Sequence, residues 1–298
     1  MDEATMKRSC GSIVACLFGL VIGVLGIASP IDTRAAEAPA AEITVERNVV
    51  YTEPGGTALQ ADIYQPATPG PHPAVLVVHG GAWIVGNKSQ LAFAAKQFAE
   101  RGFVAMAINY RLAPQFKFPA QLEDCEAAVR FLHDKAQQLR IDATRIAGFG
   151  YSAGGHLVAL LGAGATTSDM PSKSDPTRLR AVVAGGAPCD FCTLPPETRT
   201  LAFWLGGTRG QCPDVYERAS PLTHVSPDDP PMLFVHGEHD RLVDKSSPRA
   251  MSEALGRAGV QSKLIVLPDK GHAGAMFDPR TLNATIDFFN QHMKQAAD

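Results

Sequence analysis

The chain has 298 residues, a formal net charge of -3, 45 % hydrophobic and 19 % charged residues, a composition ordinary for a globular protein. It carries no basic run, which argues against a nucleic-acid partner or an anionic membrane surface. It also has no internal repeat and no low-complexity tract beyond a short Ala/Pro/Glu stretch.

The first segment is a targeting signal by composition. Lys7 and Arg8 precede an apolar run over 13–28, followed by Ser29-Pro30 and an Ala-rich stretch over 35–41. A positive start, a short apolar core and small residues near a cleavage point make a secretory signal. Residues 1–40 are therefore read as a signal peptide and short linker, and 41–298 as the folded domain. That predicts export to the periplasm or exterior, with no stable membrane span in the mature form. The alternative is an uncleaved anchor, although the run is shorter than the ~20 residues of a spanning helix. Export would leave Cys125, Cys189, Cys192 and Cys212 in an oxidising compartment. Cys189, Cys192 and Cys212 share a Pro/Gly-rich stretch, where either a loop-closing disulfide or free buried thiols are expected.

Beyond the signal, Ile43–Tyr51 and Leu59–Tyr64 alternate apolar and polar around Pro54-Gly55-Gly56, which predicts an antiparallel hairpin at a sheet edge. Ala74–His79 is a short β-branched run ending in Gly80-Gly81, as expected of a strand buried on both faces. A helix over 90–101 and a strand over Phe103–Ile108 follow, then a long helix over Leu122–Leu139. Arg145–Phe149 reads as a strand and Ala153–Leu161 as a helix rich in small residues. Strands over 181–184, 232–235 and 263–267 then alternate with helices over 248–258 and 282–293. Such alternation predicts an α/β fold with a mainly parallel sheet covered on both faces. Residues 191–225 break the rhythm with Pro195-Pro196, Phe203, Trp204 and Gly206-Gly207. They are read as a small lid or pocket-forming insertion.

The chemistry concentrates in three places. Gly150-Tyr151-Ser152-Ala153-Gly154 fits G-x-S-x-G after a predicted strand and before a predicted helix. A strained turn there exposes a serine hydroxyl, and the helix start places N–H groups beside developing negative charge. His79-Gly80-Gly81-Ala82-Trp83 follows an earlier strand, and its glycines let backbone N–H groups approach a substrate oxygen. A serine also needs a base, and the base needs an orienting carboxylate. Asp240 follows the predicted strand over 232–235 and His272 follows the next, at strand ends where α/β sheets gather their sites. Glu238 and Asp244 compete with Asp240 for the acid role. His236 and His239 are read as structural or exposed, and Asp124 as an anchor for the Asn109-Tyr110-Arg111 turn. No metal-ligand set stands out, so neither metal nor cofactor is expected.

Together these residues resemble the carboxylesterase branch of α/β hydrolases related to hormone-sensitive lipase. The likeness is greatest to the bacterial feruloyl and acetyl-xylan esterase-like (BD-FAE-like) subgroup. Matching segments are HGGAW at 79–83, NYRLAP at 109–114, FPAQLEDCEAAVRFL at 118–132 and RIAGFGYSAGGHL at 145–157, with ASPLTHVSPDDPPMLFVHGEHDRLV at 219–243 and GHAGAMF at 271–277. The resemblance implies an α/β-hydrolase sheet of about eight strands. It also implies a Ser152, Asp240 and His272 triad, with Gly80, Gly81 and Ala153 as oxyanion donors. Trp83, Tyr151, Phe203 and Trp204 are expected around the substrate. Ala82 stands where relatives carry a third glycine, which bears on bulky tertiary-alcohol esters. With the sheet expected soon after the signal, the large helical cap of hormone-sensitive-lipase relatives is not expected, and short acyl chains are, with a small-molecule or polysaccharide ester as substrate. An amide hydrolase and a non-catalytic binding relative are the competing readings. The sequence carries no signal for oligomeric state.

Overall fold

A computed structural model describes residues 42–164 and 178–293. The apolar run over 13–28, on which the signal and the anchor readings rest, lies outside the described residues. Among those described, no helix is long and apolar enough to cross a membrane.

The hairpin forms as β1 (Ile43–Thr52) and β2 (Leu59–Pro66), paired antiparallel. In chain order β3 (His72–Val78), α1 (Ala92–Glu100), β4 (Val104–Ile108) and α2 (Ala120–Asp134) follow. Then come β5 (Ile141–Tyr151), α3 (Ala153–Gly162) and β6 (Val182–Gly185). The insertion supplies two short helices, α4 (Ala202–Leu205) and α5 (Pro213–Arg218). The chain ends through β7 (Met232–Gly237), α6 (Ser246–Arg257), β8 (Ser262–Leu267), α7 (His272–Met276) and α8 (Pro279–His292). The strands make one eight-stranded sheet in the order β1-β2-β4-β3-β5-β6-β7-β8, parallel from β4 to β8. This is the α/β-hydrolase architecture expected.

Side-chain alternation along the strands feeds two cores. Ala74, Leu76 and Val78 of β3 meet α2 and α3 on one face, while Val75 and Val77 meet Phe98 of α1 and Phe289 of α8 on the other. Burial on both faces explains the unbroken apolar run in β3, since a parallel strand covered twice has no polar side. Glycines set how closely α3 can lie on the sheet. A Cβ on Gly154 would fall 2.0 Å from the Val78 carbonyl oxygen, and one on Gly150 would fall 2.3 Å from the Gly154 oxygen. Only hydrogen fits at either point.

Two expectations about extent are corrected. The long helix stops at Asp134 rather than Leu139, and β5 begins at Ile141. The backbone turns between them, with Leu139 N–H on Lys135 O and Ile141 N–H on Ala136 O, so that Ile141 can pair with His72. The 191–225 insertion packs on the core. Phe191, Leu201, Trp204, Leu205, Tyr216 and Ala219 are buried in the α2–α3 core. His156 of α3 also joins its ring nitrogen Nε2 to Ala219 O at 2.7 Å.

Candidate active site

Ser152 sits where β5 turns into α3, at φ 56° and ψ -122°. A left-handed φ is unfavourable for a residue with a side chain, at a cost of about 1–3 kcal/mol held by the surrounding fold. Here the holding contact is Ser152 N–H donating to Gly185 O at 2.8 Å, while the residue stays partly exposed. The conformation is the sharp elbow that lifts a serine off the carboxyl end of a sheet.

His272 opens α7 beside this elbow. Its backbone oxygen accepts the Tyr151 hydroxyl at 2.8 Å, and the Tyr151 ring packs edge-on to the imidazole. A Cβ on Gly186 would come within 3.0 Å of His272 Cε1, so that glycine clears the space for the ring. His272 Nδ1 lies 2.6 Å from Asp240 Oδ2. A carboxylate only accepts, so Nδ1 carries the proton and Nε2 is left as the basic nitrogen. Asp240 is fully buried in its side chain, and its Oδ1 accepts Leu242 N–H at 2.9 Å and Val243 N–H at 3.0 Å. The competing acids are elsewhere. Asp244 caps Ser246 N–H at 2.8 Å, and Glu238 faces Lys245 at 4.0 Å.

The loop after β3 crosses over the elbow. A Cβ on Gly80 would fall 3.2 Å from Ser152 Cβ, which measures how tightly the two segments abut. Gly81, Ala82 and Trp83 all take positive φ, at 111°, 50° and 62°. His79 braces the turn by stacking on Tyr110 at 4.2 Å and donating Nδ1–H to Gly80 O at 2.6 Å. Burial lowers its pKa to about 4, so the ring is neutral.

Gly80 needs a correction as an oxyanion donor. Its N–H donates to Gln90 Oε1 at 2.8 Å and is spent within the protein. The N–H groups of Gly81, Ala82 and Ala153 have no protein acceptor among the described residues. Gln90 was missed in the sequence because its acceptor arrives from the next helical segment, with no motif to mark it.

The aromatic residues expected around the substrate are buried wholly or in part. Trp204 and Tyr151 are fully buried and Trp83 nearly so, while Phe203 is half-buried against the core. The positive φ of Trp83 turns its indole inward, where it stacks on Trp204 at 3.8 Å and 3°. Trp204 Nε1–H in turn donates to Gln121 Oε1 at 2.9 Å. These rings are therefore the floor beneath the loop rather than an open wall. Several apolar side chains nearer the strand ends are exposed. Ile84 and Val85 extend the β3 loop, Leu242 follows Asp240, and Phe277 ends α7 and meets Phe93 at 5.4 Å. By contrast, surface cavities of about 510 and 340 Å³ open where β3 and β5 begin, at the other end of the sheet.

The cysteine expectation resolves to thiols. Cys125, Cys189, Cys192 and Cys212 are all free. Cys189 Sγ faces Ala187 O at 3.6 Å, Cys192 Sγ faces Ser220 Oγ at 3.6 Å, and Cys212 Sγ faces Thr208 O at 3.3 Å. Asp124 anchors the Arg111 turn as expected, accepting Arg111 N–H at 2.7 Å and Nε–H at 2.9 Å. Among the described residues, no group of three or more His, Cys, Asp or Glu is placed to hold a metal ion.

A strand-to-helix serine elbow, a histidine paired to a buried aspartate and a glycine loop above them define an α/β hydrolase. Comparison with known proteins narrows the class to carboxylesterases. The chain belongs to the BD-FAE family, whose model matches residues 61–255. It is 30 % identical to esterase LipC of Mycobacterium tuberculosis over 91 % of this chain and 74 % of that one. It is also 30 % identical to an ethyl acetate hydrolase of Pseudomonas putida, covering 73 % of this chain and 71 % of the relative. It spans about half the length of some other curated esterases that it matches. Among solved structures, a truncated carbohydrate esterase from gut microbiota superposes with a TM-score of 0.75 at 25 % identity, over 87 % of this chain and 99 % of that one. The protein is a carboxylesterase.

Proposed function

We propose that this carboxylesterase works by serine acyl transfer, with Ser152 as nucleophile, His272 as base and Asp240 as the orienting acid. The observation that carries the reading is the 2.6 Å His272–Asp240 pair, set beside the strained Ser152 turn. His272 Nε2 takes the Ser152 proton as Oγ attacks the ester carbonyl, and Asp240 supports the imidazolium so formed. Negative charge on the tetrahedral oxygen is met by the N–H groups of Gly81, Ala82 and Ala153. Collapse expels the alcohol, which takes its proton from His272. Water then enters by the same route and releases the acid.

The substrates proposed are short-acyl esters, with acetyl and feruloyl groups on plant polysaccharides as the class to examine first. The inward stack of Trp83 on Trp204 fills space beneath the loop that a long acyl chain would need. The exposed Val85 of the loop, and the exposed pair of Phe93 and Phe277, offer seats for an apolar or aromatic substituent. The likeness to an ethyl acetate hydrolase and a carbohydrate esterase supports the same direction. Export is part of the proposal, on the strength of Lys7, Arg8 and the apolar run over 13–28.

The test is a panel of p-nitrophenyl esters from acetate to decanoate, beside acetate anilides and acetylated or feruloylated xylan fragments. Rates that peak at two to four acyl carbons, with anilides inert, are expected on this account, about tenfold or more above decanoate. A peak at decanoate would overturn the short-acyl reading, and efficient anilide cleavage would move the protein to amidases.

A further inference from the structure

One buried group at the site has no part in the acyl-transfer scheme. His236, on β7, is fully buried. Its Nε2 lies 2.9 Å from Val243 O and 3.5 Å from Asp240 Oδ2. A carbonyl only accepts, so Nε2 bears the proton, and Nδ1 is left bare with no hydrogen-bond partner among the described residues. A buried polar atom without a partner costs free energy, so the position keeps histidine at a cost that an apolar side chain would avoid.

We infer that His236 is a positioning residue for the acid. Its Nε2–H clamps the 240–243 loop through Val243 O and presents its positive edge to the oxygen that Asp240 shares with His272. The inference rests on the serine-esterase reading above. The loop it clamps is the one whose N–H groups hold the carboxylate: Leu242 and Val243 both donate to Oδ1. Oδ2 is then aimed at His272 Nδ1, with His236 on its other side. Without His236 the Val243 carbonyl loses its buried donor, the turn loosens, and Oδ2 is no longer fixed in the imidazole plane.

The charged groups facing His236 are Asp240 and Asp244 on the loop after its own strand, and His272 from α7. Burial outweighs the carboxylates and pushes the ring below the ordinary histidine range. It therefore acts as a neutral dipole at the pH of the assay.

The test compares His236→Gln, whose amide nitrogen reaches the Nε2 position, with His236→Asn, which falls one carbon short, and His236→Phe, which has no donor. Each is assayed on p-nitrophenyl acetate across pH, with thermal melts to confirm folding. The expectation for Asn and Phe is a kcat about tenfold lower with KM within twofold. The acid limb of kcat/KM should move to lower pH by about half a unit, because a carboxylate out of the imidazole plane supports the imidazolium less. Gln should restore both to near wild type. The downfield proton resonance of the His272–Asp240 hydrogen bond should shift in Asn and Phe and recover in Gln. If all three variants lose activity in proportion to lost stability while the acid limb stays in place, His236 is packing only and the inference falls. It falls equally if Asn and wild type have the same profile. If Phe does not fold, the Gln and Asn pair decides. A wild-type enzyme with no esterase activity would instead refute the underlying reading, so the two failures are distinct.

Discussion

Gly81→Ala should separate catalysis from stability at the loop over the elbow. Gly81 has φ 111°, and an added Cβ would lie 1.9 Å from the Val85 carbonyl oxygen. No side-chain rotation relieves that contact, because the backbone fixes where the Cβ lies and the oxygen belongs to the backbone. The loop must open, and the bonds first lost are those of Ile84 N–H and Val85 N–H to Gly81 O, each 3.0 Å. Two turn hydrogen bonds at about 1 kcal/mol each, plus about 1–3 kcal/mol of backbone strain, give a destabilisation of roughly 3–5 kcal/mol. For a domain of this size that lowers Tm by about 6–20 °C. Catalysis should suffer more. Opening the turn moves the Gly81 and Ala82 N–H groups, and loss of one oxyanion donor costs about 10²–10³ in kcat. The assay is kcat and KM on p-nitrophenyl acetate at a temperature where melts show the variant folded, beside Ala82→Gly as control. That control removes a side chain at φ 50°, and should stabilise the turn by about 1 kcal/mol with activity kept. If folded Gly81→Ala retains more than a third of wild-type kcat, the loop supplies no oxyanion donor and that part of the mechanism is wrong.

Other predictions bear on the acid, the floor and the buried histidines. Asp240→Asn removes the charge that supports imidazolium and permits the wrong tautomer, so kcat should fall about 10⁴-fold. Equivalent losses from Glu238→Gln or Asp244→Asn would reassign the acid. Trp204→Ala deletes the ring stacked on Trp83 and orphans Gln121 Oε1, and should cost about 3–5 kcal/mol in urea unfolding. A cost below 1 kcal/mol would mean that the insertion is not part of the core. His79 and His156 both have pKa values lowered to about 4 by burial. Above pH 6.5 neither state binds the proton and nothing is lost. Below it the unfolded ring takes a proton that the folded ring refuses, so stability falls between pH 6.5 and 4, by up to about 3 kcal/mol for each. Buried Asp124 and Asp229, whose pKa values are raised, act in the opposite sense. The measure is therefore the difference between wild type and His156→Gln, whose stability should fall less steeply from pH 7 to 4.5. Parallel curves would contradict a buried neutral His156.

The sequence displayed the sheet well because its strands are marked by burial. β3, β4 and β7 read as unbroken apolar runs for the physical reason that both faces are covered. The elbow was legible for a similar reason, since Gly150 and Gly154 stand where no Cβ can fit. Less legible was anything that depends on one side chain reaching a distant backbone group. Gln90 on Gly80 N–H and His236 on Val243 O have no periodicity and no local motif. Trp83 and Trp204 misled because an aromatic residue near a glycine loop looks the same in sequence whether its ring faces substrate or core. The positive φ of Trp83 decides that, and nothing in the residue type announces it. The start of β5 at Ile141 was hidden by Asp142 and Thr144, whose side chains bond locally and gave the segment the look of a loop.

The central claim is that Ser152 is the nucleophile of this carboxylesterase. Its most direct test is fluorophosphonate labelling of wild type and Ser152→Ala, read by peptide mass spectrometry, with p-nitrophenyl acetate hydrolysis measured on the same samples. The account predicts one adduct on the peptide containing Ser152, hydrolysis lost in step with labelling, and neither label nor activity in the folded Ser152→Ala protein. A label on another residue, or ester hydrolysis that survives in Ser152→Ala at wild-type rate, would contradict it.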